Sequence, residues 1–416
     1  MKKKLINIGK KSKKAFTLQP TTKKKNKVLK DYCKKLKKYE KLIINQNKKD
    51  IYNAKKNGLK KNLIDRLLLN HEKILKLIGS IQTIIKLKDP TNKLLDRWKQ
   101  SNGLDISKVS TPIGIICVIY ESRPNVTSDV ASLCFKSGNV VILRGGSEAF
   151  YSNKILSKLF RDSLKKTNRD ENFVQFIDNK NRKIVDFLLN KMNKYIDVII
   201  PRGGKNLVKK VQTLSNLPII GHLEGVCHTY VDKDADSKIA EKIIFNAKLR
   251  NTSICGATET ILFHEKILKK ACNPVLKKLE ENGCKIIGDK KVMKYYNGKV
   301  LKANDKDWSK EYLSATVSVK TVKNLDEAIK HINKYGTMHT DSIVTQNKKT
   351  AKKFLISIKS SIAMHNTSTQ FADGGEFGFG GEVGISTNTM PPRGPVGLDQ
   401  LISYKYLVTS NGKIRE

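Results

Sequence analysis

The sequence predicts an α/β protein of two domains, each a largely parallel sheet covered by helices, and three observations carry that reading. Short apolar, β-branched runs alternate with amphipathic stretches of helical spacing, the pattern of strand, crossover helix and strand. Glycine-rich turns follow several of the apolar runs, where parallel sheets carry their ligand loops. A chain of 416 residues also exceeds what one hydrophobic core organises, so two domains and a small appendage are expected.

Residues 22–88 place Val28, Leu29, Tyr32 and Leu36, then Ile74, Leu77, Ile78 and Ile81, at three-four spacing, which predicts scaffold helices with solvated lysine faces. After Asp89-Pro90, alternation of Leu104, Ile106 and Val109 suggests a hairpin reaching away from the domain. The runs 113–120 and 139–143 read as buried strands. Arg123, Asn125 and the segment Arg144, Gly145, Gly146, Ser147 then lie on the rim beyond their C-terminal ends. A helix over 152–167, a strand at 174–177, a helix over 180–192 and a strand at 196–200 follow. Pro201-Arg202-Gly203-Gly204 opens a helix over 205–214. Such turns suit phosphate because N–H groups point outward at a helix N-terminus, although Gly-Gly also serves as a plain tight turn and the G-x-G-x-x-G fingerprint is missing.

Residues 226–231 are expected to be the last strand of the first domain. The second domain alternates helices over 265–282, 325–335 and 348–358 with strands near 259–263, 315–319 and 342–345. From Asn366 the chain turns rich in glycine and poor in lysine, and so long a loop in a compact domain is normally functional. Residues 401–408 alternate as a strand suited to the early hairpin or to a neighbouring subunit.

The net charge of +43 invites a nucleic-acid reading. Its excess is mostly lysine spread along nearly every amphipathic helix, as drift toward AT-rich codons would give, and no zinc finger, RNP motif or helix-turn-helix pattern is present. Arginine is scarcer, and Arg123, Arg144, Arg202, Arg250 and Arg393 fall in motif loops, where a planar fork suits anionic small molecules. The seven cysteines, at 33, 117, 134, 227, 255, 272 and 284, form no CxxC pair, which argues against a zinc site or disulfide framework and for reduced thiols in the cytosol. His222, Glu224 and His228 show no metal-ligand spacing, so no metal is expected. The basic N-terminus has too short an apolar run for a signal peptide, and no run is long enough to span a membrane.

Cys255 is the candidate nucleophile. It lies between a stretch of helical spacing over 236–249 and a β-branched run over 259–263, hence on a loop. A thiol there can be partly exposed beside Arg250, a setting that favours thiolate.

The motifs Tyr120-Glu-Ser-Arg-Pro-Asn-Val-Thr127, Lys136-Ser-Gly-Asn139, Leu143-Arg-Gly-Gly-Ser-Glu148, Ile200-Pro-Arg-Gly-Gly204, Gly225-Val-Cys-His228, Cys255, Asp373-Gly-Gly-Glu-Phe-Gly378 and Arg393-Gly-Pro-Val-Gly-Leu398 together resemble the γ-glutamyl phosphate reductase branch of the aldehyde dehydrogenase superfamily. The likeness runs from about Lys27 to the C-terminus. It implies an aldehyde dehydrogenase-like fold: a Rossmann-type NADPH-binding domain (1–99 and 113–227), an α/β catalytic domain with the Cys loop (228–375), a glycine-rich active-site segment (376–394), and a small β oligomerisation flap of hairpin and tail (100–112 and 395–416). It also implies reduction of L-glutamyl 5-phosphate by NADPH through a Cys255 thioester, in proline biosynthesis, in a homo-oligomer that a glutamate 5-kinase could feed. By the same resemblance Asn125 is the oxyanion donor. Arg144, Gly145, Gly146, Ser147, Gly203, Gly204 and Glu311 hold the cofactor, with Glu311 on the nicotinamide ribose. Arg123 and Arg393 take the substrate's phosphate or carboxylate. The runner-up is a hydrolytic aldehyde dehydrogenase, and a nonenzymatic basic RNA binder is the reading from another class. Where hydrolytic relatives carry a water-activating Glu, this chain has His222-Leu-Glu-Gly225, so the thioester is expected to wait for phosphate in the reverse reaction.

Overall fold

The strand Ile115–Tyr120 is buried at every position and organises the first of two units in the computed structural model, which describes residues 1–415. This unit comprises residues 1–221, 378–384 and the chain from 396 onward. Its four-stranded sheet runs Val174–Phe176, Val140–Gly145, Ile115–Tyr120, Val198–Arg202, all parallel. Counted along the chain within this sheet, the first strand, Ile115–Tyr120, therefore lies between the second and the fourth. Strand order reverses there, leaving a crevice beyond Tyr120 and Arg202 of the kind that takes ligands in open α/β sheets. Helices Thr22–Lys38, His71–Lys86, Asn125–Lys136 and Phe150–Lys166 bury the stripes that their spacing predicts. Val28, Leu29, Tyr32 and Leu36 are fully buried, each large side chain contributing roughly 1.5–3 kcal/mol. The Tyr32 hydroxyl lies 2.5 Å from Ser128 Oγ, so the phenol enters the core with its polar end paired.

The hairpin is larger than 100–112. Its strands are Leu94–Lys99 and Asp105–Pro112, with residues 100–104 as the turn, and the Arg97 side chain pairs with Asp105 between them. The tail strand Ile402–Thr409 joins the hairpin of its own chain, antiparallel to Asp105–Pro112. Glu416 lies outside the described residues.

The second unit comprises residues 222–377 and 385–395. Seven parallel strands run in the order Val300–Lys302, Lys285–Gly288, Thr316–Val322, Thr258–His264, Cys227–Val231, Thr340–Val344, Ile362–His365. The expectation that 226–231 closes the first domain is corrected here. All five residues of Cys227–Val231 are buried inside the second sheet, and the unit boundary falls after Gly221 rather than at 227. A strand-like run announces a strand but not the sheet that buries it. The glycine-rich segment 376–394 is also divided. Residues 378–384 belong to the first unit, where the Val383 N–H donates to the Val396 carbonyl at 2.8 Å. Ile385–Ser386 pairs with Gly394–Pro395 in the second.

Candidate active site

Three adjacent strands of the second sheet begin side by side, and the residues just before each carry its reactive groups: His222 to Gly225 before Cys227–Val231, Cys255 before Thr258–His264, His339 before Thr340–Val344. The chain reaches Cys255 from helix Ser237–Leu249, whose start is capped by Asp236 accepting from the Lys238 and Ile239 N–H groups at 2.8 and 3.0 Å. Gln370 then pins the loop. Its amide donates to the Ala247 carbonyl at 2.9 Å and its oxygen accepts from Arg250 Nε at 2.8 Å. Gly225 passes so close that a Cβ there would lie 2.2 Å from the Cys255 carbonyl oxygen and 2.7 Å from its Cβ, so only glycine fits.

Cys255 is half-buried. Its sulfur and one ring nitrogen each of His222 and His339 lie within 4.8 Å of one another, with the two rings edge to face at 4.9 Å. His222 Nδ1 is 2.7 Å from the Ile385 carbonyl, which can only accept, so Nδ1 carries a proton and Nε2 is the variable nitrogen. His339 Nδ1 meets Thr340 Oγ1 at 2.9 Å, while its Nε2 is buried without a hydrogen-bond partner. Burial alone would raise the Cys255 pKa, but His339 and then His222 outweigh it and hold the thiol well below its usual range. The two imidazoles therefore favour the thiolate form of the sulfur. The groups that lower the pKa are His339 and His222 rather than the expected cation, Arg250, whose Nε donates to Gln370. Cys227 is no rival nucleophile: its thiol donates to the Cys255 carbonyl at 3.1 Å, and burial pushes its pKa well above the ordinary value. Glu311 joins this group, accepting from the Gly225 N–H at 2.9 Å, with burial raising its pKa. His222, Cys255 and His339 are also a donor set that could hold a metal ion, which the spacing along the chain did not foreshadow.

In the first unit, Asn125 is the exposed first residue of helix Asn125–Lys136, and its amide donates to Asp129 at 3.1 Å. Arg123 lies half-buried on the loop before it. Arg144 is 5% exposed. It donates to the Gly145 carbonyl and, at 3.4 and 3.5 Å, to the carbonyls of Lys180 and Asn181, leaving Nε buried without a partner. Two residues missed in the sequence decide the character of this rim. Glu121 accepts from the Gly204 N–H at 2.9 Å, and Glu148 from the Ser122 N–H at 2.7 Å. A Cβ at Gly203 would meet Glu121 Oε2 at 2.5 Å, and one at Gly146 would meet Glu148 Oε1 at 2.2 Å. These glycines thus make room for the protein's own carboxylates, and a carboxylate already sits where the turn at Gly203–Gly204 would offer an N–H to phosphate. Ser147 opens the short turn Ser147–Ala149. In the second unit Arg393 is exposed and donates to the Lys359 carbonyl at 2.6 Å.

The aldehyde dehydrogenase family profile matches residues 36–314. The chain belongs to the aldehyde dehydrogenase family. Within it, the chain is 43% identical to the γ-glutamyl phosphate reductase of Bartonella henselae, over 98% of this chain and 99% of that one. Similarity to the crystal structure of γ-glutamyl phosphate reductase from Thermotoga maritima is 41% identity at a TM-score of 0.96, covering 99% of this chain and 100% of the other. An acetylating aldehyde dehydrogenase from Geobacillus thermoglucosidasius, 15% identical with a TM-score of 0.70, covering 100% of this chain and 98% of its own, shares the fold. Membership of the family makes the chain an oxidoreductase using a nicotinamide cofactor and a small-molecule substrate. Among the described residues no helix is long and apolar enough to cross a membrane.

Proposed function

We propose that this chain reduces L-glutamyl 5-phosphate to L-glutamate 5-semialdehyde with NADPH, releasing phosphate, and that Cys255 carries the acyl group. The observation that bears most weight is the Cys255 sulfur flanked by His339 and His222, in a chain that matches γ-glutamyl phosphate reductases over nearly its whole length. The thiolate attacks the acyl carbon, the C–O bond to phosphate breaks, and an imidazolium proton of the pair passes to the leaving phosphate. NADPH supplies the hydride that reduces the resulting thioester. Collapse of the thiohemiacetal oxyanion then breaks the C–S bond, frees the aldehyde and returns a thiolate that a re-protonated imidazole stabilises. The Cys255 N–H is the donor we assign to the oxyanion; Asn125, whose amide has a second hydrogen beyond the one given to Asp129, keeps the donor role that its motif implies.

The rim of the first unit fits a dinucleotide. A glycine-rich turn opens helix Lys205–Leu214 at the point where strand order reverses, where a phosphate would displace Glu121 from the Gly204 N–H, and the unpartnered Arg144 Nε is a donor lacking an acceptor. Arg144 and Ser147 can both hydrogen-bond a 2′-phosphate, which favours NADPH over NADH. Arg123 and Arg393 remain our assignments for the substrate's anionic groups, and Glu311 for the nicotinamide ribose.

The reverse reaction tests the reading. Oxidation of glutamate semialdehyde by NADP⁺ should require inorganic phosphate or arsenate, because His222 replaces the water-activating carboxylate of hydrolytic relatives. Cys255→Ser should lower turnover by several orders of magnitude. Fast oxidation without either anion would replace this reading with the hydrolytic one.

A further inference from the structure

One imidazole beside the sulfur would serve acyl transfer, yet two converge on Cys255. His222, Cys255 and His339 each present one donor atom, all within 4.8 Å of one another, and all three residues belong to the second unit. Each ring is held at Nδ1. That of His222 lies 2.7 Å from the Ile385 carbonyl, and that of His339 lies 2.9 Å from Thr340 Oγ1. Metal-ligating histidines are oriented in this way, through a hydrogen bond at the nitrogen that does not face the ion. Nε2 is then the nitrogen left to each ring. In His339, which is fully buried, Nε2 has no hydrogen-bond partner, and a buried polar atom without one calls for an explanation.

We propose that His222 Nε2, Cys255 Sγ and His339 Nε2 form a binding site for a zinc-class divalent cation, and that the bound ion reversibly inhibits the enzyme. One thiolate and two imidazoles suit zinc, whereas magnesium and calcium take oxygen ligands. Zinc bonds of about 2.3 Å to sulfur and about 2.0–2.1 Å to nitrogen set tetrahedral donors roughly 3.3–3.7 Å apart. The three atoms therefore need to close by little more than about 1 Å. Rotation about the Cα–Cβ bond of Cys255, a half-buried side chain, supplies movement of that size. Three protein ligands leave a fourth position to water, as in open zinc sites. Cys227 does not take it, because its thiol donates to the Cys255 carbonyl at 3.1 Å. On binding, zinc loses water, a sulfur lone pair enters the Zn–S bond and any thiol proton leaves to solvent, with no change of oxidation state. That lone pair is then withheld from an acyl carbon. The inhibition rests on the reading of Cys255 as nucleophile, and the binding does not.

The probes are zinc and cobalt ions, added to full-length enzyme freed of metal by a chelator. Wild type should bind one Zn²⁺ per chain with a Kd of about 1 µM or tighter, and zinc should slow iodoacetamide labelling of Cys255 with the same midpoint. Cobalt(II) should give a thiolate charge-transfer band in the near ultraviolet and the intense visible bands of a tetrahedral site. Cys255→Ser, nearly isosteric, should abolish the charge-transfer band. His222→Gln, which changes a half-buried ring, should weaken zinc at least roughly tenfold, the lower end of what even outer-shell partners of a metal contribute. In the phosphate-supplied oxidation of glutamate semialdehyde, free zinc set by a chelator buffer should inhibit with that midpoint, and excess chelator should restore full turnover. Binding no tighter than about 100 µM, a cobalt spectrum unchanged by Cys255→Ser, or labelling indifferent to zinc overturns the site. If zinc protects Cys255 yet leaves turnover intact, the binding site stands and the nucleophile reading falls, taking the inhibition with it. If turnover depends on Cys255 but zinc neither binds nor protects, the reverse holds.

Discussion

Cys255 differs from every other cysteine of the chain in being only half-buried and in having two imidazoles beside its sulfur. Cys33, Cys117, Cys134, Cys227, Cys272 and Cys284 are all buried, and burial raises each pKa, to about 11 for Cys33 and Cys284 and about 12 for Cys117 and Cys272. Only Cys255 is lowered, through His339 and His222. Thiolate is the species that reacts with iodoacetamide, so native, chelator-treated enzyme should be labelled at Cys255 alone at pH 7. Its rate should fall only as pH drops through a value well under the roughly 8.5 of a free thiol. Replacing His339 by Ala should move that midpoint upward. Mass spectrometry of the labelled peptides reads both, and labelling at a second cysteine on the same timescale would contradict the assignment. His339 shows why the site was only half legible in the sequence. A lone histidine before an apolar run has no local signature, and only the pairing of Thr340–Val344 with Cys227–Val231 brings its strand to the start of the sheet centre. Cys255 was legible because its own flanks, helix and strand, define the loop.

The elements around the Cys loop are clamped by a buried ion pair. Lys248, near the end of helix Ser237–Leu249, and Glu259, in strand Thr258–His264, are both 0% exposed and meet at 2.5 Å. Burial pushes the Glu259 pKa up to about 7 even with Lys248 lowering it. Removing one partner of such a pair costs about 3–5 kcal/mol, so Lys248→Met should destabilise the second unit by that order at pH 8. The folded-state pKa of Glu259 is raised, and losing Lys248 raises it further. The folded variant therefore binds a proton that the unfolded chain does not, and its stability should fall as pH rises from 5 to 8. Urea midpoints at three pH values measure this, and a pH-independent loss would contradict it. A second element-scale effect concerns helix Lys205–Leu214, whose first N–H at Gly204 is held by Glu121. Burial raises the Glu121 pKa above the ordinary carboxylate value, the Gly204 N–H lowers it in part, and the neighbouring Glu148 charge raises it further. A cofactor phosphate would have to displace this charge, so Glu121→Gln should tighten NADPH roughly tenfold, about 1.4 kcal/mol. Wild-type affinity should rise as pH falls and Glu121 takes a proton, while the variant should lose that slope. Fluorescence titration of NADPH distinguishes the two, and weaker binding by Glu121→Gln would make Glu121 a ligand of the cofactor instead.

At the scale of the whole molecule, the sequence carried local periodicity and lost long-range partnership. Helix Lys205–Leu214 has the expected bounds, and the buried strand Ile115–Tyr120 lies where its apolar run put it. Yet Cys227–Val231, just as buried, belongs to the other unit, and Lys2–Phe16, too rich in lysine to stand out, forms a helix with Leu5 and Ala15 buried. The charge follows the same division. Lysine faces solvent on most helices, as on Thr22–Lys38, where its buried stripe is apolar apart from Lys25. That exception pairs with Asp89 at 3.0 Å. A dispersed positive surface attracts polyanions through counterion release, without reading bases. The +43 charge should therefore give nucleic-acid binding that is weak at physiological salt, equal for unrelated sequences, and steeply reduced between 50 and 200 mM salt, roughly as expected when several phosphates are contacted. Filter binding or anisotropy with two unrelated duplexes and one single strand measures it. Sequence-selective binding that persists at 200 mM salt would mean that some lysines are arranged for recognition, and the charge would then need a functional account rather than a compositional one.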